Sequence, residues 1–163
     1  MPEESPLSHI DETGAARMVD VSTKVITVRR AIAAGRVSTT AEVVALLRGD
    51  GVPKGDALAV ARIAGIMGAK RTPDLIPLCH PIGLHSVTVD LRITATGVDI
   101  TATATTADRT GVEMEALTAV ATAGLALIDM IKGVDPAAGI EAVRVVRKEG
   151  GKTGLWERPE DRP

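Results

Sequence analysis

The sequence predicts an α+β fold of plan βαββαβ, an antiparallel sheet with helices on one face. Three observations point to it. Val87, Val89, Leu91 and Ile93 alternate with polar residues, and after Thr96-Gly97 so do Val98, Ile100, Ala102 and Ala104; period two on both sides of a glycine turn makes a hairpin with one buried face. Apolar residues at helical spacing flank this hairpin on both sides. Stretches rich in β-branched residues stand outside the helices, around Val25–Val28 and Ile140–Val146, and supply the outer strands.

Taken in order, residues 1–20 are polar and acidic, with little periodicity, and read as a mobile arm. Residues 22–37 read as a strand: Val25, Ile26 and Val28 favour it, although Arg29 to Ala34 would tolerate helix. Thr39 and Glu42 have capping-box spacing and open a helix through Leu47, which Gly49-Asp50-Gly51 stops. A second helix starts near Asp56, carries Lys70 and Arg71 in its last turn, and ends at Thr72-Pro73. Residues 74–83 are not helical, because Pro77 and Pro81 bias their predecessors toward extended backbone. The hairpin follows. Thr110 and Glu113 form a second capping box, opening a long helix from Gly111 to about Gly133. A last strand runs from Ile140 to Lys148. The expected organisation is an arm (1–20), a single catalytic domain (21–154) and a frayed polar tail (155–163).

Composition narrows the function. The 163 residues suit one domain, and 45% hydrophobic residues give it a normal core. A net charge of -2, one Trp, no Phe and no Tyr argue against a nucleic-acid partner, which needs basic patches or stacking platforms. The only cysteine, Cys79, excludes an intrachain disulfide. No signal peptide or run of 18 apolar residues is visible, so neither export nor a membrane partner is expected and the cytoplasm is the expected location.

From Val112 to Gly133 the polar side chains are Glu113, Glu115, Thr118, Thr122, Asp129 and Lys132. Such a helix is apolar nearly all round, whereas one sheet covers only one side. The other side is expected to meet another subunit, the alternative being burial beneath the first helices. Asp129 and Lys132 are three residues apart and share a helix face. Glu115 lies fourteen residues before Asp129, within about 40° of it in direction but about 21 Å away along the axis. One small substrate cannot touch both ends of one straight helix. If both ends act, the site lies between subunits.

The Asp129–Lys132 pair is either a surface ion pair or, within the run LALIDMIKGV, a proton-exchanging pair in a dry site. Cys79 and His80 sit in a proline-braced loop, and braced loops favour function. A zinc set of Asp74, Cys79, His80 and His85 lacks a recognised ligand spacing. Lys152 in GGKTG mimics the end of a phosphate loop, but position 146 is Val where that loop needs Gly. Lys152 and Lys54 are each either a phosphate-holding cation or a solvated lysine. Glu113 reads first as a cap. Glu115 has no capping duty and suits accepting from the N–H edge of a guanine- or pterin-like ring.

The strings ARMVDVSTK, KGD, ARIAGIMGAKRTPDLIPLCHP, TGVEMEALTA, IDMIKG and GGKTG together resemble the MoaC family, the cyclic pyranopterin monophosphate synthases of molybdenum-cofactor biosynthesis. The resemblance runs from about Leu7 to Gly154. It implies a ferredoxin-like fold, a hexamer built as a trimer of dimers with sites at subunit interfaces, and no metal or organic cofactor. The implied reaction rearranges a 3′,8-cyclised dihydro-GTP, a small-molecule substrate, into a pterin-fused pyran with a cyclic phosphate, and releases diphosphate. By motif position, Asp129 and Lys132 match the family's acid/base pair and Lys54 a catalytic lysine. Leu78, Cys79 and His80 match the substrate-binding LCH segment, and Met114 and Glu115 the ME pair beside Glu113. Lys152 matches a lysine near phosphates or ring, and Arg29 and Arg62 fall at basic positions. Two rivals remain: a nucleotide-binding regulatory module with no turnover, and a metal-dependent phosphohydrolase using His80 and His85.

Overall fold

The computed structural model describes residues 7–49 and 56–160. Four long strands and a short fifth form one antiparallel sheet in the order β2-β3-β1-β4-β5. β1 (Thr27–Ser38) pairs with both β3 (Gly97–Asp108) and β4 (Gly139–Glu149), while β2 (Leu84–Thr94) pairs with β3 across the expected hairpin. With α1 (Ala41–Arg48), α2 (Ala57–Lys70) and α4 (Glu113–Ile131) between the strands, this is the ferredoxin-like βαββαβ plan with its first helix split.

Boundaries differ from expectation for local reasons. β1 starts at Thr27 rather than near residue 22. Thr40, not Thr39, caps α1 by accepting from the Val43 N–H; the Thr39 hydroxyl instead donates to Asp135 at 2.7 Å. Thr72-Pro73 does not simply end α2. It opens a one-turn helix, α3 (Thr72–Leu75), within the stretch expected to be non-helical, because proline is tolerated in a first turn. The Thr110–Glu113 capping box does not form: α4 starts at Glu113 behind Val112, with no side-chain cap. The tail expected to fray begins with β5 (Trp156–Glu157), paired to β4.

The core lies between the sheet and the α2/α4 layer. β1 and β3 turn Ala31, Ala33, Val37, Val98, Ile100, Ala102 and Ala104 toward α4, which answers with Ala116, Val120, Leu127 and Ile131. Burying one such Leu or Ile side chain contributes about 1.5–3 kcal/mol. The near absence of aromatics is met by close approach. A Cβ on Gly65 of α2 would come within 2.9 Å of the Ala119 carbonyl oxygen, and one on Gly68 would collide with Thr122.

The cover of α4 corrects one expectation. Sheet and α2 together bury most of this helix, leaving one stripe open through Met114, Leu125, Asp129 and Lys132. Leu125 on that stripe is 61% exposed. Most of the uncovered helical apolar surface sits instead on α2, where Val60, Ile63 and Met67 recur at helical spacing.

Candidate active site

The start of α4 meets the Leu78–His80 loop. Glu115, in the first turn, faces inward and is 1% exposed, although it is a carboxylate. The Cys79 thiol donates to its Oε1 at 3.7 Å, while Oε2 is buried with no hydrogen-bond partner. Burial is the main reason the Glu115 pKa is raised, and the negative Glu113 nearby adds to it. The Cys79 thiol is pushed up to about 11, by burial first and by Glu115 second. Cys79 therefore donates a hydrogen bond to Glu115 and is not a ready nucleophile. A buried carboxylate with one oxygen unpaired is costly unless a donor from outside completes it.

His80 points its Nε2 at the Val19 carbonyl, 2.7 Å away. A carbonyl only accepts, so Nε2 carries the hydrogen. Beside Cys79 and His80 lies a cavity of about 750 Å³. Ile76 to His80 form one wall and Gly111, Glu113 and Met114 another. The third wall comes from residues 8–24. Residues 9–17 of the expected arm have a built shape: Ile10 pairs with Ala16 and the Asp11 carboxylate accepts from the Thr13 and Ala15 N–H groups.

Glu113 also borders a second, narrow cleft of about 90 Å³ that holds Arg29, Arg30 and Lys148. Lys148 pairs with Glu113 at 3.2 Å, so Glu113 ties β4 to the helix start instead of capping it. Arg29 donates through Nε to the Asp108 carbonyl at 3.0 Å. The GGKTG turn passes over it. Gly150 and Gly151 have positive φ (89° and 73°), and a Cβ on Gly151 would strike the Arg29 guanidinium. Glycine is required there for both reasons, and the turn leads on to Lys152, which is exposed.

The other end of α4 is built differently. Lys132 donates to Asp129 at 2.6 Å, and both side chains are 59% exposed. The dry site expected for this pair is not made by its own chain. α4 runs unbroken from Glu113 to Ile131, so the pair lies about 21 Å along the axis from Glu115. Arg62, on α2, donates to the Val89 carbonyl at 2.9 Å and lines neither cavity. Lys54 lies outside the described residues. One chain thus gathers Leu78, Cys79, His80, Glu113, Met114, Glu115, Arg29 and Lys152 at one end, and holds Asp129 and Lys132 apart.

The residues weighed as a zinc set are engaged separately. Asp74 pairs with Arg71, Cys79 with Glu115, His80 with Val19, and His85 accepts from the Ala107 N–H. A further cavity of about 620 Å³, on the outer face of the sheet, holds Arg36, Arg92 and Arg144 but no expected site residue. Lys148 and the wall from residues 8–24, with Val19 and Lys24, were not legible as site residues in the sequence. The turn-forming Asp11 and Asp20 were the available sign that this segment has a shape.

The family model described as the MoaC family matches residues 18–151. The chain belongs to the MoaC family. It is 64% identical to the cyclic pyranopterin monophosphate synthase of Streptomyces avermitilis over 157 residues, covering 96% of this chain and 92% of the relative. The enzyme of that name from Streptomyces coelicolor is 65% identical, with 93% and 89% covered. Cyclic pyranopterin monophosphate synthase 2 of Mycobacterium tuberculosis (strain H37Rv) is 60% identical, with 93% and 91% covered.

Proposed function

We propose that this chain is a cyclic pyranopterin monophosphate synthase, a lyase of molybdenum cofactor biosynthesis. It converts (8S)-3′,8-cyclo-7,8-dihydroguanosine 5′-triphosphate to cyclic pyranopterin phosphate and diphosphate. The observation that carries this reading is the 64% identity over 96% of the chain to a relative of that name.

The roles proposed here join the family's motif positions to what the geometry allows. Glu115, with one buried oxygen unpaired, accepts from the N–H edge of the substrate ring, and Cys79 holds its other oxygen. Leu78, His80 and Met114 flank the ring, and Glu113 positions the helix start. Arg29 and Lys152 hold anionic oxygens, with Arg62 as a more distant cation. Asp129 and Lys132 are the acid/base pair, and Lys54 is a further catalytic lysine. Cations are needed because cyclic phosphate formation expels diphosphate, and positioned positive charge stabilises the charge that develops.

One substrate cannot span the about 21 Å between the two ends of α4. The site is therefore shared: one copy supplies the Glu115 end and another the Asp129 end. The uncovered apolar stripe on α2 supports assembly, for which we propose a hexamer arranged as a trimer of dimers. Residues 21–154 are the catalytic domain, no cofactor takes part, and a reducing cytoplasm suits the free Cys79 thiol. The test is to incubate the pure protein with the cyclised GTP and measure diphosphate. Release with each turnover is expected, and its absence would overturn the reading.

A further inference from the structure

Residues 7–26 cross one side of the larger cavity without entering the core. None of them is buried, and Val25 and Ile26 stay open to solvent just before β1 begins. The segment is shaped mainly from within, by the Ile10–Ala16 bridge and by the Asp11 and Asp20 turns. Side chains of the domain hold it at Val19 and at Lys24. The His80 ring reaches the Val19 carbonyl, and Arg109 donates through Nε to the Lys24 carbonyl at 3.1 Å. A segment fastened by a few side-chain bonds, with no strand pairing to the sheet, opens without disturbing the core.

What it covers is chemically one-sided. The cavity walls are largely apolar, from Val19, Val21, Ile76, Leu78 and Met114, and Glu113 adds a negative charge. Lys24, from the strap itself, is the lysine that borders this cavity. The bond to Arg109 is made by the backbone of that same residue. Fastening the strap therefore fixes where the Lys24 ammonium stands.

We propose that residues 7–26 are a strap that closes over the bound substrate, and that Arg109 is the positioning residue that holds it closed and brings the Lys24 ammonium to the substrate's phosphates. This rests on the function proposed above. The strap opens to admit the cyclised nucleotide, closes on it, and excludes water from the ring. Because the bond from Arg109 goes to a backbone carbonyl, a lysine at 109 retains a donor and a methionine of similar reach removes it.

The test uses the full-length protein and the cyclised GTP itself. Arg109→Met is expected to raise KM about tenfold with kcat within about twofold of the parent, and Arg109→Lys to recover most of that loss. Trypsin reports the strap directly, since the bonds after Arg17 and Lys24 lie on it. In a Lys132→Ala background, which keeps the substrate intact, saturating cyclised GTP is expected to slow both cleavages at least about fivefold, the open form being depleted. Arg109→Met should cut faster than its parent without substrate. The proposal is overturned if KM is unchanged in Arg109→Met, if kcat falls in proportion to lost folded protein while KM holds, or if substrate leaves cleavage unaltered. Absence of diphosphate from the parent enzyme would instead overturn the proposed function, so the two failures are distinguishable.

Discussion

The two ends of α4 carry acidic residues of opposite character. At the start, Glu115 is 1% exposed, touches a thiol through one oxygen, and leaves the other oxygen buried and unpaired. At the end, Asp129 pairs with Lys132, and both side chains are 59% exposed. A carboxylate in the first position is costly to the fold and persists where it is used. One in the second position is nearly neutral for the fold, so its use depends on what another surface brings to it. The start borders a cavity formed within one chain, whereas the end stands on an open stripe.

The largest effect expected of any single change is on turnover at the exposed end. Asp129→Ala and Lys132→Ala should each lower diphosphate release at least about 100-fold, the usual scale of lost acid–base catalysis. Near-normal rates in either variant would remove this end from the chemistry. Glu115→Gln should weaken turnover less, by about tenfold, because a neutral amide keeps an acceptor at the ring; a loss confined to kcat, with KM unchanged, would argue against a binding role.

Glu115→Gln also has a signature in pH. The folded pKa of Glu115 lies above its ordinary value of 4.5. Above the folded pKa the ionised group destabilises the fold, and below the ordinary value both states hold the proton and the cost is gone. The variant should therefore melt higher than the parent at pH 8, with the gap closing as the pH falls toward 4.5. A pH-independent gap would mean that this carboxylate is not the cause. Between the ends, Gly65→Ala should destabilise by about 1–3 kcal/mol, because the added methyl forces α2 off α4. Thermal melting checks it, and an unchanged Tm would show that the helix pair has slack. The smallest effect is on folding at the exposed end. Asp129→Ala should change stability by no more than about 0.5 kcal/mol, as for other exposed i,i+3 pairs; a large fall in Tm would mean that the pair is structural.

The sequence revealed much of the fold because its strand signals were local. Val87 to Ile93 and Val98 to Ala104 alternate on either side of the glycine turn, and β2 and β3 pair as the expected hairpin. The α4 boundaries were less legible. Thr110 and Glu113 had capping spacing, but Lys148, 35 residues downstream, takes Glu113 instead. That is a long-range choice no local pattern encodes. The start of the site was legible as motifs, and the burial of Glu115 against Cys79 was not, since it depends on the Leu78–His80 loop folding back onto α4. The apolar run around Asp129 suggested a dry pair. One chain does not make that site by itself, because the run's apolar residues, Leu127, Met130 and Ile131, turn into the core and leave Asp129 on the stripe that faces out.

The shared site is the central claim, and subunit mixing tests it most directly. Glu115→Gln and Asp129→Ala proteins, each measured alone, are unfolded together, refolded as a mixture, and assayed for diphosphate release. If each pocket takes its two ends from different copies, random pairing leaves about one pocket in four with both ends intact, and activity should return toward that fraction of the parent. If subunit exchange is verified and activity stays at the level of the separate variants, the two ends of α4 do not serve a common pocket.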